Sequence, residues 1–245
     1  MTTSREQFSR VARAYQRSAA HARGEDLAIL RAQIPTGIRV VDVGTGAGHG
    51  LAAIAKDQRL AVGVDATPEM LDVARDVLRE RGVAASLVVA DAAALPFRDA
   101  TFDAAISRLA AHHFPDVGAA FREVARVLTP RATFVLVDNY APDDPRLDAW
   151  IDELERTRDP SHIRSHTLEV WQRLLRDAGF APRVEATMTT PLETEDWLSR
   201  ARTPAAKADH ARTMLRTAPR AARDTFRIED KGFSLLKAVI VATRL

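Results

Sequence analysis

The sequence predicts a doubly wound α/β domain in which a mostly parallel sheet carries helices on both faces. Three observations lead there. Short β-branched, almost wholly apolar runs alternate with helix-like segments through the first half of the chain. One of those runs passes directly into a glycine-rich loop and then a helix. The 245 residues, 46% of them apolar, supply a core large enough for one such domain with insertions.

The elements follow in order. Ile38–Val43 is the first strand, and His49–Asp57 reads as a helix. Leu60–Asp65 is the second strand. Thr67–Arg81 is a helix: Thr67 suits the N-cap, Pro68 the first helical position, and Met70, Leu71, Ala74, Val77 and Leu78 form one apolar face that Gly82 ends. Ser86–Ala90 and Phe102–Ser107 are the third and fourth strands. Asp116 caps a helix with Ala120, Phe121, Val124 and Leu128 on its apolar side, and Thr133–Asp138 is the fifth strand.

Beyond Asp138 the alternation loosens. Asp144–Pro145 opens a helix that stops at Asp159–Pro160, Thr167–Ala178 is a second helix closed by Gly179, and Phe180–Thr187 is a strand. Glu193–Arg227 is helical in propensity but broken by Pro204 and Pro219, and Phe233–Thr243 closes the chain as a strand. No repeat or linker divides the chain, so residues 1–245 are expected to form one domain. Within it, 1–34 would be N-terminal helices, 38–139 the ligand-binding core, 140–166 and 191–231 helical lid insertions, and 233–243 the final strand.

Composition excludes several classes of function. A net charge of +2 from 35 basic and 33 acidic residues is too balanced for a nucleic-acid partner. The Arg-rich stretch Arg200–Arg227 lacks interleaved aromatics and reads as a solvated helical face. The absence of cysteine removes disulfides, thiolate catalysis and cysteine-ligated metals. No apolar run reaches the roughly 18 residues a membrane span needs. Glu6, Tyr15 and His21 suit a folded N-terminal helix better than a transit peptide. A cytoplasmic protein without a membrane partner is expected; oligomeric state stays open, a homodimer included.

The motif with most chemical content is Asp42, Gly44, Thr45, Gly46 and Gly48, at the turn from the first strand into the first sheet-covering helix. Glycines let the backbone turn tightly and let a ligand approach the main chain, while the helix start offers free N–H groups. A dinucleotide fingerprint would require glycine where His49 stands. The acid at Asp42 would repel a pyrophosphate but suits a ligand carrying an ammonium and a sulfonium. Asp65, 21 residues after Gly44, ends the second strand and can accept from both ribose hydroxyls; Asp91 ends the third and can accept from an adenine amino group. Each aspartate alone is equally well a helix cap or turn former. Three at successive strand ends beside one glycine loop point to a nucleoside site.

Together these residues resemble the class I S-adenosylmethionine-dependent methyltransferases, and the branch that includes the ubiquinone and menaquinone methyltransferases (methyltransferase type 11). The segments that carry the likeness are VVDVGTGAGHG at 40–50, GVDATPEML at 63–71, VVADAAALPFRDATFDAAISR at 88–108, AAHHFPD at 110–116 and REVARVLTPRATFVLVD at 122–138. The resemblance implies a doubly wound, seven-stranded, mostly parallel sheet of the Rossmann-like methyltransferase type, with helical lid insertions and 233–243 as the antiparallel strand. It implies S-adenosyl-L-methionine as cofactor and S-adenosyl-L-homocysteine as product. Carried across by position, Asp42, Gly44, Thr45, Gly46 and Gly48 form the methionine-side loop and Asp65 holds the ribose. Ala66 and Met70 pack on adenine, Asp91 and Ala92 contact its edge, and Ser107 and Arg108 lie beside the sulfonium. Tyr15 takes the place of an N-terminal tyrosine near the cofactor. The chain departs from the family at Pro130-Arg131-Ala132, where Pro-Gly-Gly is usual.

Methyl transfer asks mainly for positioning and exclusion of water, with a base where the nucleophile must lose a proton. His112 and His113 follow the fourth strand, and one of them is the candidate base, against the plainer role of loop histidines. The acceptor is expected to be a small molecule, with His21, Asp138, Asn139, Tyr140 and His162 as candidate contacts. Asp138-Asn139 resembles the metal pair of some O-methyltransferases. The cation at Arg108, where those enzymes place a carboxylate, opposes a metal, and none is expected. Trp150 reads as the buried face of its helix and Arg158–Asp159 as a local ion pair. Two other functions compete: a nucleotide-dependent oxidoreductase, against which Asp42 and His49 speak, and a non-catalytic or non-methylating S-adenosylmethionine-binding protein.

Overall fold

The computed structural model describes residues 3–16 and 24–245. His21 lies outside the described residues. The chain begins with α1 (Ser4–Gln16) and α2 (Glu25–Gln33), then enters β1 (Arg39–Val43). Next come α3 (His49–Ile54) with a 3-10 turn at Ala55–Asp57, β2 (Leu60–Asp65), α4 (Pro68–Glu80), β3 (Ser86–Val89) and β4 (Phe102–Arg108). A 3-10 turn at Ala111–His113 leads to α5 (Val117–Val127) and β5 (Leu128–Asn139). Then follow α6 (Pro145–Arg158), α7 (Leu168–Asp177), β6 (Phe180–Glu193), α8 (Thr194–Arg200), α9 (Ala205–Arg216), α10 (Arg220–Phe226) and β7 (Gly232–Arg244).

The seven strands form one sheet in the order β3-β2-β1-β4-β5-β7-β6. Pairs among the first five are parallel, and β7 runs antiparallel to both β5 and β6. This is the doubly wound, Rossmann-like methyltransferase fold, with the final strand reversed. Along β5, Phe134 and Leu136 pack in one core while Val135 and Val137 pack in the other. Both faces are therefore covered, which is why these strands read as unbroken apolar runs. A third core lies off the sheet, where Ile151 and Leu154 of α6 meet Trp197, Met214 and Phe226 of α8 to α10. Trp150 stacks on Phe226 at 5.4 Å in that cluster, as its helical spacing suggests.

Local signals set most boundaries. The side chains of Asp116, Asp144 and Thr167 accept from the first-turn N–H groups of α5, α6 and α7. Pro204 and Pro219 sit just ahead of α9 and α10, so the breaks in the long helical stretch become helix starts. Thr67 occupies the N-cap of α4 but makes no side-chain cap; its own N–H donates instead to Asp65 Oδ1 at 2.9 Å. Strand β6 is longer than expected because it continues along β7 to Glu193, and β5 begins earlier than expected, at Leu128, which pairs with Phe102 of β4. Arg131, at the departure from Pro-Gly-Gly, adopts φ +65°, the left-handed conformation that glycine takes freely.

Strands β2 and β4 flank β1, so the connections leave β1 toward opposite sides. Ligands of open α/β sheets bind outside the carboxyl ends of the strands at such a reversal. Here it brings the ends of β1, β2 and β4 together.

Candidate active site

The loop after β1 turns through Gly44, Gly46 and Gly48 at φ +74°, +52° and +78°. A Cβ on Gly44 would stand 2.6 Å from that of Ala110, so glycine is required by space as well as conformation. The N–H groups of Gly44 and Thr45 donate to Val64 O, each at 2.9 Å, fixing the loop to β2. Gly48 packs against Ala74 of α4 and supports the loop from behind.

Asp42 is 1% exposed. Its Oδ2 accepts from Thr45 Oγ1 at 2.7 Å, while its Oδ1 is buried without a hydrogen-bond partner. Burial pushes its pKa up to about 7, against the Thr45 hydroxyl and the charge of Arg108. Asp65 accepts from Gly46 N at 2.8 Å through Oδ2 and from Thr67 N through Oδ1. Burial raises its pKa despite those bonds. Asp91 is exposed, and its Oδ1 accepts from Ala93 N. All three carboxylates, with Ala66, Met70 and Ala92, line one cavity of about 670 Å³. Tyr15, Thr45, Arg108, His112, His113 and Asn139 line it too.

The histidines are placed unequally. His112 Nδ1 donates to Asp138 Oδ1 at 2.5 Å. Burial alone would lower the His112 pKa, but the charge and hydrogen bond of Asp138 outweigh it and the net shift is upward. Asp138 is held below the usual carboxylate range: burial opposes this, and the His112 charge prevails. Its Oδ2 also accepts from the N–H groups of Ala111 and His112, so the carboxylate fixes the whole turn. His113 Nδ1 donates to Ser161 O at 3.1 Å, and burial with the neighbouring His112 drives its pKa down to about 3. His113 is therefore neutral at physiological pH. The segment after α6 is tied to this turn, since Ile163 N and Arg164 N both donate to His112 O.

Gly48, Ser107, Asp138, Tyr140 and His162 are not among the cavity-lining residues. Asp138 is turned into the His112 loop, and Tyr140 is half-buried beside the outer core. His162 lies 3.6 Å from Asp152 and 3.7 Å from Glu155, behind His112 and His113. Among the described residues no three His, Asp or Glu side chains are grouped as metal ligands would be.

Several cavity residues carry no motif that marks them in sequence. Phe8 of α1, Glu155, Arg158, Trp197 and Arg200 converge only through the fold. Arg158 makes the ion pair with Asp159 that the sequence suggests, with Nη1 at 3.8 Å, and in addition its Nε donates to Trp197 O and its Nη2 to the Tyr15 hydroxyl. A further ionic cluster lies beneath the site. Asp26 is completely buried, receiving Arg108 Nε at 2.5 Å and Lys237 Nζ at 2.7 Å. Lys237 was detectable, as a lone lysine inside the apolar run Phe233–Thr243, because a buried lysine requires a partner.

The residues present fit S-adenosylmethionine. The unpartnered oxygen of Asp42 is an acceptor in search of a donor, which an ammonium group provides. Asp65 keeps a second lone pair on each oxygen for ribose hydroxyls.

Comparison with known proteins agrees. A family model described as a methyltransferase domain matches residues 41–136. The uncharacterized methyltransferase YcgJ of Bacillus subtilis is 41% identical over 222 residues, covering 89% of this chain and 88% of its own. Its crystal structure superposes with TM-score 0.84 over 90% of this chain and 98% of that one. BH2331 from Bacillus halodurans C-125 superposes equally well, at TM-score 0.84 and 31% identity, covering 90% and 99%. An S-adenosylmethionine-dependent methyltransferase from Thiobacillus denitrificans, solved with S-adenosyl-L-homocysteine, shares the fold at TM-score 0.61 and 19% identity, covering 96% and 97%. The chain belongs to the class I S-adenosylmethionine-dependent methyltransferases, in the type 11 branch.

Proposed function

We propose that this enzyme methylates a small-molecule acceptor, with His112 as general base and Asp138 as the residue that orients it. The observation that carries the proposal is that one cavity is lined both by Asp42, Asp65 and Asp91 and by a histidine whose Nδ1 is committed to a buried carboxylate. S-adenosylmethionine supplies an electrophilic methyl carbon: the acceptor's electron pair forms the new bond as the carbon–sulfur bond breaks and its electrons return to sulfur.

The protein's own residues do the rest. Asp42 and Asp65 hold the cationic nucleoside through its ammonium and ribose, and Asp91 and Ala92 with Met70 hold its base. Asp138 accepts from Nδ1 and leaves Nε2 of His112 as the nitrogen that takes the acceptor's proton. The charge formed on His112 is met by Asp138. Neutral His113 packs beside it at a ring separation of 4.2 Å and donates to Ser161, which makes it a positioning residue. Phe8 and Phe114 limit water at the reacting centre.

The test pairs calorimetry with turnover. Wild type should bind S-adenosyl-L-homocysteine and transfer labelled methyl to a component of a metabolite extract. His112→Ala should retain the binding and lose the transfer. Full transfer by His112→Ala would rule out the base role, and a wild type that binds the cofactor but labels nothing would overturn catalysis.

A further inference from the structure

Resting on the methyl-transfer proposal, we infer that Arg158 and Arg200 form a carboxylate-binding subsite on the helical wall of the cavity, and that the methyl acceptor is a largely apolar carboxylic acid.

The cavity carries charges of both signs, with Arg108 lying near Asp42 at the strand ends. The strand-end side presents Asp42, Asp65 and Asp91, which suit a cation. The lining that comes from α6 and α8 presents Arg158 and Arg200, with Glu155 as its carboxylate. Glu155 is already engaged: it accepts from Ser165 Oγ at 3.0 Å and, weakly, from Asn139 Nδ2 at 3.5 Å. Between these groups the wall is apolar, made by Phe114, Ile163, Leu192, Trp197 and Leu235.

Arg158 is the centre of the subsite. Its side chain is 13% exposed. Among the described residues its hydrogen bonds go to neutral groups, the Trp197 carbonyl and the Tyr15 hydroxyl, and its guanidinium carbon lies 5.2 Å from the centroid of the Trp197 ring. These contacts fix the group, and its counter-charge is the buried Asp159, whose Oδ2 makes no hydrogen bond of its own. Asp159, at 3.8 Å, is beyond hydrogen-bond reach and spends its other oxygen on Ser161 N and Oγ. Arg200 adds a second cation whose Nε lies 3.0 Å from Asp196, a carboxylate 62% exposed and screened by water. Burial and then the charge of Arg158 lower the pKa of Arg200, as expected of two cations brought close. A pair of guanidinium groups on an apolar wall is the arrangement that recognises a carboxylate.

Two molecules at this site carry a carboxylate: the acceptor and the methionine end of the cofactor. The experiment separates them. Wild type saturated with S-adenosyl-L-homocysteine is titrated with benzoate, 3-phenylpropanoate and hexanoate, and with the amide of each. At least one acid should bind tenfold or more tightly than its amide. Arg158→Gln and Arg200→Gln should each abolish that preference, and Arg158→Lys should restore part of it. Affinity for S-adenosyl-L-homocysteine should stay within twofold in Arg158→Gln. The inference is overturned if no acid is preferred, if the preference survives both glutamine variants, or if Arg158→Gln weakens S-adenosyl-L-homocysteine tenfold, which would assign the subsite to the cofactor. If Arg158→Gln does not fold, Arg200→Gln and Arg158→Lys read the same preference. Failure of wild type to bind S-adenosyl-L-homocysteine would instead sink the methyl-transfer proposal itself. Cofactor binding without acid preference sinks only this one.

Discussion

His112, in the turn that follows β4, and Asp138, at the end of β5, stand 2.5 Å apart, with side chains only 9% and 1% exposed. In that setting the imidazole is a stronger base than free histidine, because the carboxylate raises its pKa. In the base role proposed for His112 the active form is the neutral ring. The rate kcat/KM should therefore climb with pH through a midpoint above the ordinary histidine value of about 6.5. Asp138→Asn removes the charge and leaves burial in command, so the midpoint should fall below that value. His112→Ala should lower kcat by roughly 10²–10⁴ with cofactor affinity preserved. Initial rates across pH 5.5–9 check both; an unchanged midpoint in Asp138→Asn would remove the orienting role.

Asp42 gives cofactor binding its own pH dependence. With a pKa of about 7, it is near half-protonated at neutral pH in the free protein. A bound ammonium group favours the carboxylate and lowers that pKa. Binding at pH 7 should then release a fraction of a proton, and affinity should rise from pH 6 to pH 8. Calorimetry with S-adenosyl-L-homocysteine in buffers of different ionisation enthalpy measures the release directly. Asp42→Asn should bind more weakly and show neither effect.

Asp65 accepts from Gly46 N and Thr67 N. With the ribose role proposed for it, its loss should take ligand hydrogen bonds and loosen the glycine turn together. A hydrogen bond to a charged group is worth about 1.5–3 kcal/mol, so Asp65→Ala should weaken S-adenosyl-L-homocysteine on the order of 10- to 100-fold. Equilibrium titration decides it, and affinity within twofold of wild type would refute the assigned pocket.

The sheet and the cofactor side were legible because their signals are local. Strand runs, the spacing of Asp42, Gly44, Gly46 and Gly48, and aspartates closing successive strands each occupy a few consecutive residues, and parallel topology then brings them to one edge. The rest of the cavity was not legible in that way. Arg158 and Arg200 lie in helices with ordinary amphipathic patterns, and Phe8 comes from the far N-terminus. Only the packing of α1, α6 and α8 over the strand ends brings them to one cavity. Asp138 shows the intermediate case. Its position at the end of β5 was visible, but its direction, toward His112 rather than the cavity, depends on the turn it holds.

Asp26, Arg108 and Lys237 make the last testable relationship, joining α2, β4 and β7 under the site. Burial alone would raise the pKa of Asp26, yet its two cationic partners, Arg108 first, hold it below the usual value. Its stabilising contribution is thus complete above pH of about 4 and is lost only as acid reaches the lowered pKa. Asp26→Asn removes the carboxylate that Arg108 and Lys237 share and should cost about 3–5 kcal/mol in urea unfolding near pH 7. Replacing Lys237 by Met in the same variant removes one of those cations and should recover part of the loss. A cost below about 1 kcal/mol for Asp26→Asn would mean that water, not Asp26, compensates Arg108 and Lys237.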